Sequence, residues 1–401
     1  MNLRYLVPAL GIIAVSIPLA NAEDKSSMPV ISFDGWVNTT LEGSSANYPT
    51  NDPATAKDEK GVELGFENEA SLKTYIKLGD SVSGKINIFI DPGNDAVLNV
   101  REAYVDWKLN TDWTLQTGKY FTTIGWISPE PTGLYTVNNS LIGYLGAYGN
   151  DPIGASLAFG HANCPLSGAL YITNGSYNGA DAYSVTPDGA TGGGTNKSPS
   201  RGNADLGYGL DLTYKLPGND RNFVNFDFDF DPHGAFFGYY TVGVALGTVA
   251  FGGPADAEGG RAVLLDLNAQ YVVAKGLLVA AEIANLNIGD DHPGAGTVAN
   301  AAGVGGNRTQ GLVLANYELP KASTVCPMSV TGEVQYITDK AHGASNNEKA
   351  SEETLALLTN PTGSDFFALN AELSFTQYTS PITGVSKVNA VVVSLQSLLS
   401  F

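Results

Sequence analysis

The feature that most constrains the fold of this chain is an alternation of apolar and polar residues with a period of two. In Val224–Asp231, one valine and three phenylalanines alternate with one asparagine and three aspartates. Leu206–Leu216 and Val263–Val273 repeat the pattern with leucine, tyrosine and valine on the apolar side. Successive side chains of a β-strand point to opposite faces of a sheet, so each stretch is predicted to be a strand with one apolar face.

About sixteen segments carry this pattern, and short turns or long polar connections separate them. Gly79–Gly84 is a tight turn of this kind, whereas Asn174–Ala204 is a long connection rich in glycine, serine and threonine. Short turns between alternating strands join antiparallel neighbours. The predicted fold class is therefore all-β.

The alternation is compatible with a water-soluble sandwich, in which one face packs on a core and the other meets solvent. A barrel is favoured because tyrosine and phenylalanine are dense near the ends of the apolar faces and because short turns alternate with long loops. A closed barrel also leaves no sheet edges to protect. We predict a transmembrane antiparallel β-barrel of about 16 strands, within a range of about 14 to 18, since single-chain outer-membrane barrels use even numbers.

The N-terminus indicates export. Met1–Ala22 has one basic residue, Arg4, then an apolar stretch from Tyr5 to Leu19 and the small-residue ending Ala20-Asn21-Ala22. This is the pattern of a signal peptide that is removed after export. No later stretch reaches the roughly twenty apolar residues of a membrane-spanning helix. Residues 1–22 are thus a predicted signal peptide, and residues 23–401 a single barrel domain in the outer membrane of a Gram-negative-type bacterium.

The chain ends in a predicted strand, Ser386–Phe401, with valine and leucine on one face and an aromatic ring at the last position. Such an ending looks like the assembly signal of bacterial outer-membrane barrels, which makes Phe401 the candidate signal and the barrel-assembly machinery a predicted partner. A sandwich strand that ends in phenylalanine is the other interpretation. In the barrel, this strand is expected to pair with the first strand near Val30–Leu41.

If the apolar faces meet lipid, the opposite faces line the lumen. Unpaired charges are too costly to bury in a dry core, so we predict a water-filled channel. The alternative is that these charges only keep the lumen hydrated. The predicted pore-lining residues are Lys73, Lys77, Lys85, Glu102, Asp106, Lys108, Asp211, Asp227, Asp229, Asp266, Glu282, Glu318, Glu333 and Glu372.

The charges are unevenly distributed. All four of these lysines lie between Lys73 and Lys108, and the later strands are mostly acidic. The chain has 21 basic and 40 acidic residues, which excludes a nucleic-acid binder with its basic surface and predicts a mild preference for cations. A basic wall opposite an acidic one favours polar solutes over apolar ones.

The connection Trp126–Asp151 is long for a β-meander and contains several aromatic residues, so it is predicted to be ordered and functional. We expect it to fold into the lumen as a constriction, with Glu130 and Asp151 facing the lysines and with Tyr135 and Tyr144 as further candidates. The alternative is an ordinary surface loop.

Two expectations concern the second half of the chain. Asn346–Leu358 is predicted to form a short helix inside a loop. With sixteen strands and both termini in the periplasm, Gly289–Asn307 and Lys340–Asp365 are expected on the periplasmic side, against the rule that long loops lie outside.

No cofactor or metal is predicted. Gly294–Ala299 matches a dinucleotide-binding fingerprint, but no helix is predicted after it. The four histidines are scattered without metal-ligand spacing, and no catalytic constellation is present, so an enzyme is not expected. Cys164 and Cys326 each precede a proline, and whether they form a disulfide stays open.

The stretch Val100–Gly125 resembles the OmpL-like β-barrel porin-2 family of outer-membrane proteins. The matching residues are Arg101–Tyr104 and Gly118–Gly125, and Ile172–Gly175 resembles that family's strand before a long loop. Ile127 stands where the family usually has an acidic residue. The resemblance implies passive diffusion of small hydrophilic solutes and a homotrimer embedded in outer-membrane lipids. A plugged barrel that acts as a structural or adhesive protein through its long loops is the alternative function.

Overall fold

The computed structural model describes residues 29–48, 59–91, 97–121, 124–126, 130–137, 153–160, 164–174, 206–230, 262–288, 306–320, 326–341, 348–362, 366–379 and 388–401. The predicted signal peptide lies outside the described residues. No helix in the described ranges is long and apolar enough to cross a membrane.

Sixteen strands form one closed antiparallel barrel in which every strand pairs with its neighbours in the chain and β1 pairs with β16. The predicted fold class and strand number are confirmed. The strands are β1 (Val30–Tyr48), β2 (Glu59–Leu78), β3 (Val82–Asp91), β4 (Val97–Lys108), β5 (Trp113–Lys119), β6 (Ile153–Phe159), β7 (Leu166–Asn174), β8 (Leu206–Lys215), β9 (Phe223–Phe230), β10 (Ala262–Ala274), β11 (Leu277–Ile288), β12 (Gly306–Glu318), β13 (Met328–Ala341), β14 (Glu348–Thr359), β15 (Phe367–Thr379) and β16 (Val388–Ser400).

The C-terminal residue completes the seam between β1 and β16. Phe401 and Gly35 exchange backbone hydrogen bonds, each 3.0 Å long. A Cβ atom on Gly35 would lie 2.3 Å from the Ser71 carbonyl oxygen and 2.8 Å from the Phe401 ring, so only glycine allows this approach. The predicted pairing of the last strand with the first is present, and the role of Phe401 as an assembly signal remains a prediction.

The alternation separates an apolar outer surface from a polar interior. Val313, Ile283 and Val334 are more than half exposed on the outer face, as lipid-facing side chains of a barrel are. Aromatic residues gather on the outer face at one end of the barrel, where β5 begins and β8, β10 and β12 end. They are Trp113, Tyr214, Tyr271 and Tyr317.

The segment predicted as a short helix is strand β14, paired with both β13 and β15. Glutamate, leucine and alanine favour a helix in isolation, and they dominate Glu352–Leu358. In the barrel, this segment instead completes the hydrogen bonding of two neighbouring strands. Pairing within the sheet therefore overrides the local propensity.

Because β14 adds a strand to those expected, the long connections lie at a different end of the barrel from the one expected. The segments after odd-numbered strands all leave the same end of the barrel and include 120–152, 175–205, 231–261 and 289–305. The segments after even-numbered strands are short and share the other end, which we call the short-turn end. Gly289–Asn307 therefore joins strands at the end with the other long connections, and Lys340–Asp365 is interrupted by β14. The predicted exception to the rule that the long loops share one side of the barrel is therefore wrong.

Candidate channel interior

A segment that follows β5 lies inside the barrel, and we call its described residues 124–126 and 130–137 the inner segment. It bonds to side chains on the inner faces of strands on three parts of the wall. The short 3₁₀ turn Pro131–Gly133 lies within it. Its location follows from these contacts.

The first anchor is on β9 to β11. The Gly125 amide donates to Asp227 Oδ2 at 3.4 Å, and the Trp126 amide donates to Glu282 Oε2 at 2.8 Å. The Trp126 indole nitrogen donates to Gln270 Oε1 at 3.1 Å. Gly125 has a φ of 86°, a conformation that favours glycine, and this lets the chain turn into the wall.

The second anchor is on β2 to β4. Glu130 forms an ion pair with Lys73, whose ammonium also lies 3.9 Å from Asp34. Asn87 Nδ2 lies between two carboxylates and donates to Glu130 Oε1 at 3.1 Å and to Glu102 Oε2 at 3.0 Å. The result is a continuous polar network from the wall to the inner segment.

The third anchor is on β15 and β16. The Val137 amide donates to Glu372 Oε2 at 2.5 Å, and Gln396 Nε2 donates to the Val137 carbonyl at 3.5 Å. The Tyr135 hydroxyl meanwhile accepts from Arg221 in the turn after β8, at 3.3 Å. The inner segment is thus fixed on three parts of the wall and at the short-turn end.

Two cavities flank these anchors. One, of about 550 Å³, lies between the inner segment and β8 to β13, with Trp126, Tyr135 and Asn268 in its lining. The other, of about 580 Å³, lies at the short-turn end of β1 to β5, and Lys77, Lys85 and Lys108 line it together with Asp80 and Asp106. The interior therefore has an acidic, aromatic cavity and a lysine-rich one.

Three aspartates form a ladder across neighbouring strands. Asp211 on β8 and Asp266 on β10 both lie directly opposite Asp227 on β9, so the three side chains share the inner face. Asn225 and Asn268 donate to Asp211 and Asp266 at 3.2 and 2.7 Å. These donors offset part of the repulsion between the carboxylates.

The predicted pore-lining residues lie on inner faces, but many do not face open water. Eight of the carboxylates are buried, and the inner segment bonds directly to three of them. Asp106 is half-buried and accepts from Gln116 at 3.0 Å, while Lys85 pairs with buried Glu102. The buried carboxylates are Glu102, Asp211, Asp227, Asp229, Asp266, Glu282, Glu333 and Glu372.

Other predicted residues lie nearer the rim. Lys77 and Lys108 are exposed, with Lys77 3.6 Å from Asp80. Glu318 accepts from Arg221 at 3.1 Å at the short-turn end. Of the predicted constriction residues, Glu130 and Tyr135 lie in the inner segment, and Tyr144 and Asp151 lie outside the described residues.

Some functional residues were not predicted from the sequence. Asn87, Gln270 and Gln396 hold the inner segment through neutral amides, and Val137 contributes only backbone atoms, which leave no pattern. Several apolar side chains also occupy inner-face positions and are at most 2% exposed, where alternation predicts polar residues. They are Leu264, Leu278, Leu286, Leu312, Leu314 and Ile337.

No group of histidine, cysteine, aspartate and glutamate in the described ranges is arranged to hold a metal ion. Cys164 and Cys326 are both free. They lie next to β7 and β13 at the short-turn end of the barrel.

Comparison with solved structures identifies the fold. The outer-membrane channel DcaP of Acinetobacter baumannii superposes with a TM-score of 0.57 at 12% identity, covering 93% of this chain and 97% of that one. Pseudomonas putida OprB gives 0.57 at 12%, covering 92% and 94%. The anion-selective porin of Comamonas acidovorans gives 0.54 at 13%, covering 93% and 100%.

The chain matches no protein-family profile and no curated protein sequence. The closed barrel with its apolar exterior is nevertheless the architecture of these outer-membrane channels. The chain therefore has the fold of an outer-membrane β-barrel.

Proposed function

We propose that this protein is a porin that lets small hydrophilic solutes diffuse passively across the outer membrane of a Gram-negative-type bacterium. The observation that carries the proposal is the inner segment, which is anchored on three parts of the wall of a closed sixteen-stranded barrel. One cavity remains beside it, and a second lies at the short-turn end of the neighbouring strands. An anchored segment inside a barrel narrows the path, so we assign the constriction to Glu130, Tyr135 and the residues around them.

The channel is proposed to prefer cations mildly. The chain has a formal net charge of −19. On the basic side, Lys73 and Lys85 are each paired with a glutamate. The aspartate ladder forms no ion pair with any described residue, and acidic groups outnumber basic ones on the inner faces.

The proposal also includes a family, an oligomeric state and an assembly partner. The residues Val100–Gly125 support membership of the OmpL-like porin-2 family, and a homotrimer would fit that family. The contact of Phe401 with the β1 seam supports recognition of the last strand by the barrel-assembly machinery.

The test is conductance of the folded protein in planar lipid bilayers under a KCl gradient. We expect stepwise single-channel currents and a reversal potential on the side of cation permeation. The protein used must migrate as a heat-modifiable band, which shows that the barrel is folded. A folded barrel without conductance would contradict the porin assignment, and a reversal potential for anions would contradict the cation preference alone.

One observation favours the second function, a plugged structural or adhesive barrel. The buried apolar side chains on the inner faces of β10 to β13 show that part of the interior is filled. Absence of current together with binding of the folded barrel to an envelope or surface partner would favour this function.

A further inference from the structure

We propose that the cavity between the inner segment and β8 to β13 binds organic cations, meaning small solutes with a protonated amine on an apolar or planar body. The proposal rests on the proposed porin function in one respect, that the solute reaches the cavity through the barrel. It names a solute class that net charge alone does not define.

The size and aromatic lining of the cavity suit such a solute. Its volume of about 550 Å³ falls within the usual range for small-molecule sites. The rings of Trp126 and Tyr135 stack with centroids 5.4 Å apart and an interplanar angle of 13°, and Phe223 adds a third ring to the lining. Aromatic faces attract cations through the ring quadrupole, and tryptophan does so most strongly.

The hydrogen-bonding groups of the lining favour a donor-rich ligand. The Asn225 amide donates to Asp211 and Thr213, and the Asn268 amide donates to Asn225 and Asp266. The Gln270 amide donates to the Arg221 carbonyl at 2.9 Å. Asn225 and Asn268 thus already use both of their donors within the wall, and Gln270 uses one of its two, whereas carboxyl and carbonyl oxygens retain acceptor capacity. An ammonium group supplies donors only and matches this arrangement.

The charge of the cavity lining also favours a cation. Asp211 and Glu333 line the cavity, and no lysine, arginine or histidine stands among its described lining residues. Asp227 and Asp266 lie behind them on the ladder. Arg221, which donates to the Tyr135 hydroxyl at the edge of the cavity, is itself paired with Glu318 at 3.1 Å. A cation in the cavity therefore compensates carboxylates that have no basic partner among the described residues, whereas an anion would be repelled by them.

The second cavity provides an internal contrast. It is lined by Lys77, Lys85 and Lys108 and has no tryptophan among its described lining residues. A solute attracted only by the net charge of the protein would not distinguish the two cavities. Binding of a cation beside Trp126 and not in the second cavity would therefore support the proposed site over attraction by net charge.

The experiment titrates three probes of similar size against the open channel: phenethylammonium, 3-phenylpropionate and glucose. Ion current in bilayers and tryptophan fluorescence of the folded protein are both recorded. We expect phenethylammonium to reduce the current at concentrations about tenfold lower than 3-phenylpropionate or glucose, since one cation–π contact and one charge contact contribute at this scale. Fluorescence quenching should follow the same order and be lost in Trp126→Phe.

Two variants localise the effect. Asp211→Asn and Glu333→Gln each remove one carboxylate of the lining without changing side-chain size, and each should raise the half-blocking concentration of phenethylammonium about threefold or more. Glu353→Gln is the matched control, because Glu353 is exposed on the outer face of β14, opposite Val334. The half-blocking concentration of phenethylammonium for this control should equal that for the unaltered protein.

The outcomes separate the two proposals. A channel that conducts but responds equally to the three probes overturns the cation site and leaves the porin function in place. If glucose quenches fluorescence and blocks current more strongly than phenethylammonium, the cation site is overturned in favour of a site for a neutral polyhydroxylated solute. If folded protein shows no current, the porin function fails, and fluorescence quenching by phenethylammonium alone then decides whether the cavity binds cations.

Discussion

At the scale of single residues, Glu130 is the group that ties the inner segment to the basic side of the barrel. Its side chain and that of Lys73 are only 10% and 12% exposed. A buried ion pair is held by its mutual attraction and by further hydrogen bonds, and removing one partner leaves the other charge without compensation. Asn87 supplies one such bond.

Replacing Glu130 by glutamine should therefore lower the free energy of unfolding and reduce the preference for cations, because Lys73 keeps its charge. A double-mutant cycle with Lys73→Gln should give a coupling energy of about 1 to 3 kcal/mol. Urea titration of the folded barrel measures the stability, and the reversal potential in a KCl gradient measures the selectivity. If the two single effects add in the double variant, the pair is not the anchor described above.

At the scale of elements, the seam between β1 and β16 depends on one close approach. Phe401 closes onto Gly35, and any side chain there meets both the Ser71 carbonyl and the phenylalanine ring. A barrel has no stable open form in lipid, because unpaired strand edges in hydrocarbon cost several kcal/mol per group.

We expect Gly35→Ala to reduce the folded fraction strongly. Gly65→Ala is the matched control, since a Cβ atom on Gly65 would meet no described atom within 4 Å. The heat-modifiable fraction on gels after refolding into lipid vesicles measures both variants. Equal yields for the two would show that the seam tolerates a side chain and that Phe401 does not set its geometry.

The strands also differ in how well the alternation of residue types predicts which face each side chain occupies. Alternation in Val224–Phe230 correctly assigns every side chain to its face, because each residue type there suits either lipid or the polar interior. It fails at Leu264, which has apolar neighbours on both sides in the sequence and points inward. It also misses β14, because the glutamate, leucine and alanine of this segment favour a helix until β13 and β15 pair with it. The position of Glu130 against Lys73 was expected from charge, whereas the anchors through backbone amides of Gly125, Trp126 and Val137 leave no trace in residue type.

At the scale of the whole molecule, the interior has its charges separated across the lumen. Lysines face it from β2 to β4, and the aspartate ladder faces it from β8 to β10. Since Lys73 and Lys85 are paired with glutamates, the net negative charge of the chain sets the average potential. Selectivity produced in this way is a property of the summed field and not of one ring of residues.

Such a field is screened by salt over about 10 Å at 0.1 M and about 3 Å at 1 M ionic strength. We therefore expect the ratio of K⁺ to Cl⁻ permeability to exceed unity at low salt and to approach unity as both chambers are raised towards 1 M at a constant gradient ratio. Block by phenethylammonium should weaken less over the same range, because ring contact with Trp126 and Tyr135 is short-ranged. Reversal potentials and blocking curves measured at three salt concentrations test both statements. A permeability ratio that stays constant with salt would locate the selectivity in a direct contact at the constriction, and the Glu130→Gln channel would then be the one to lose it.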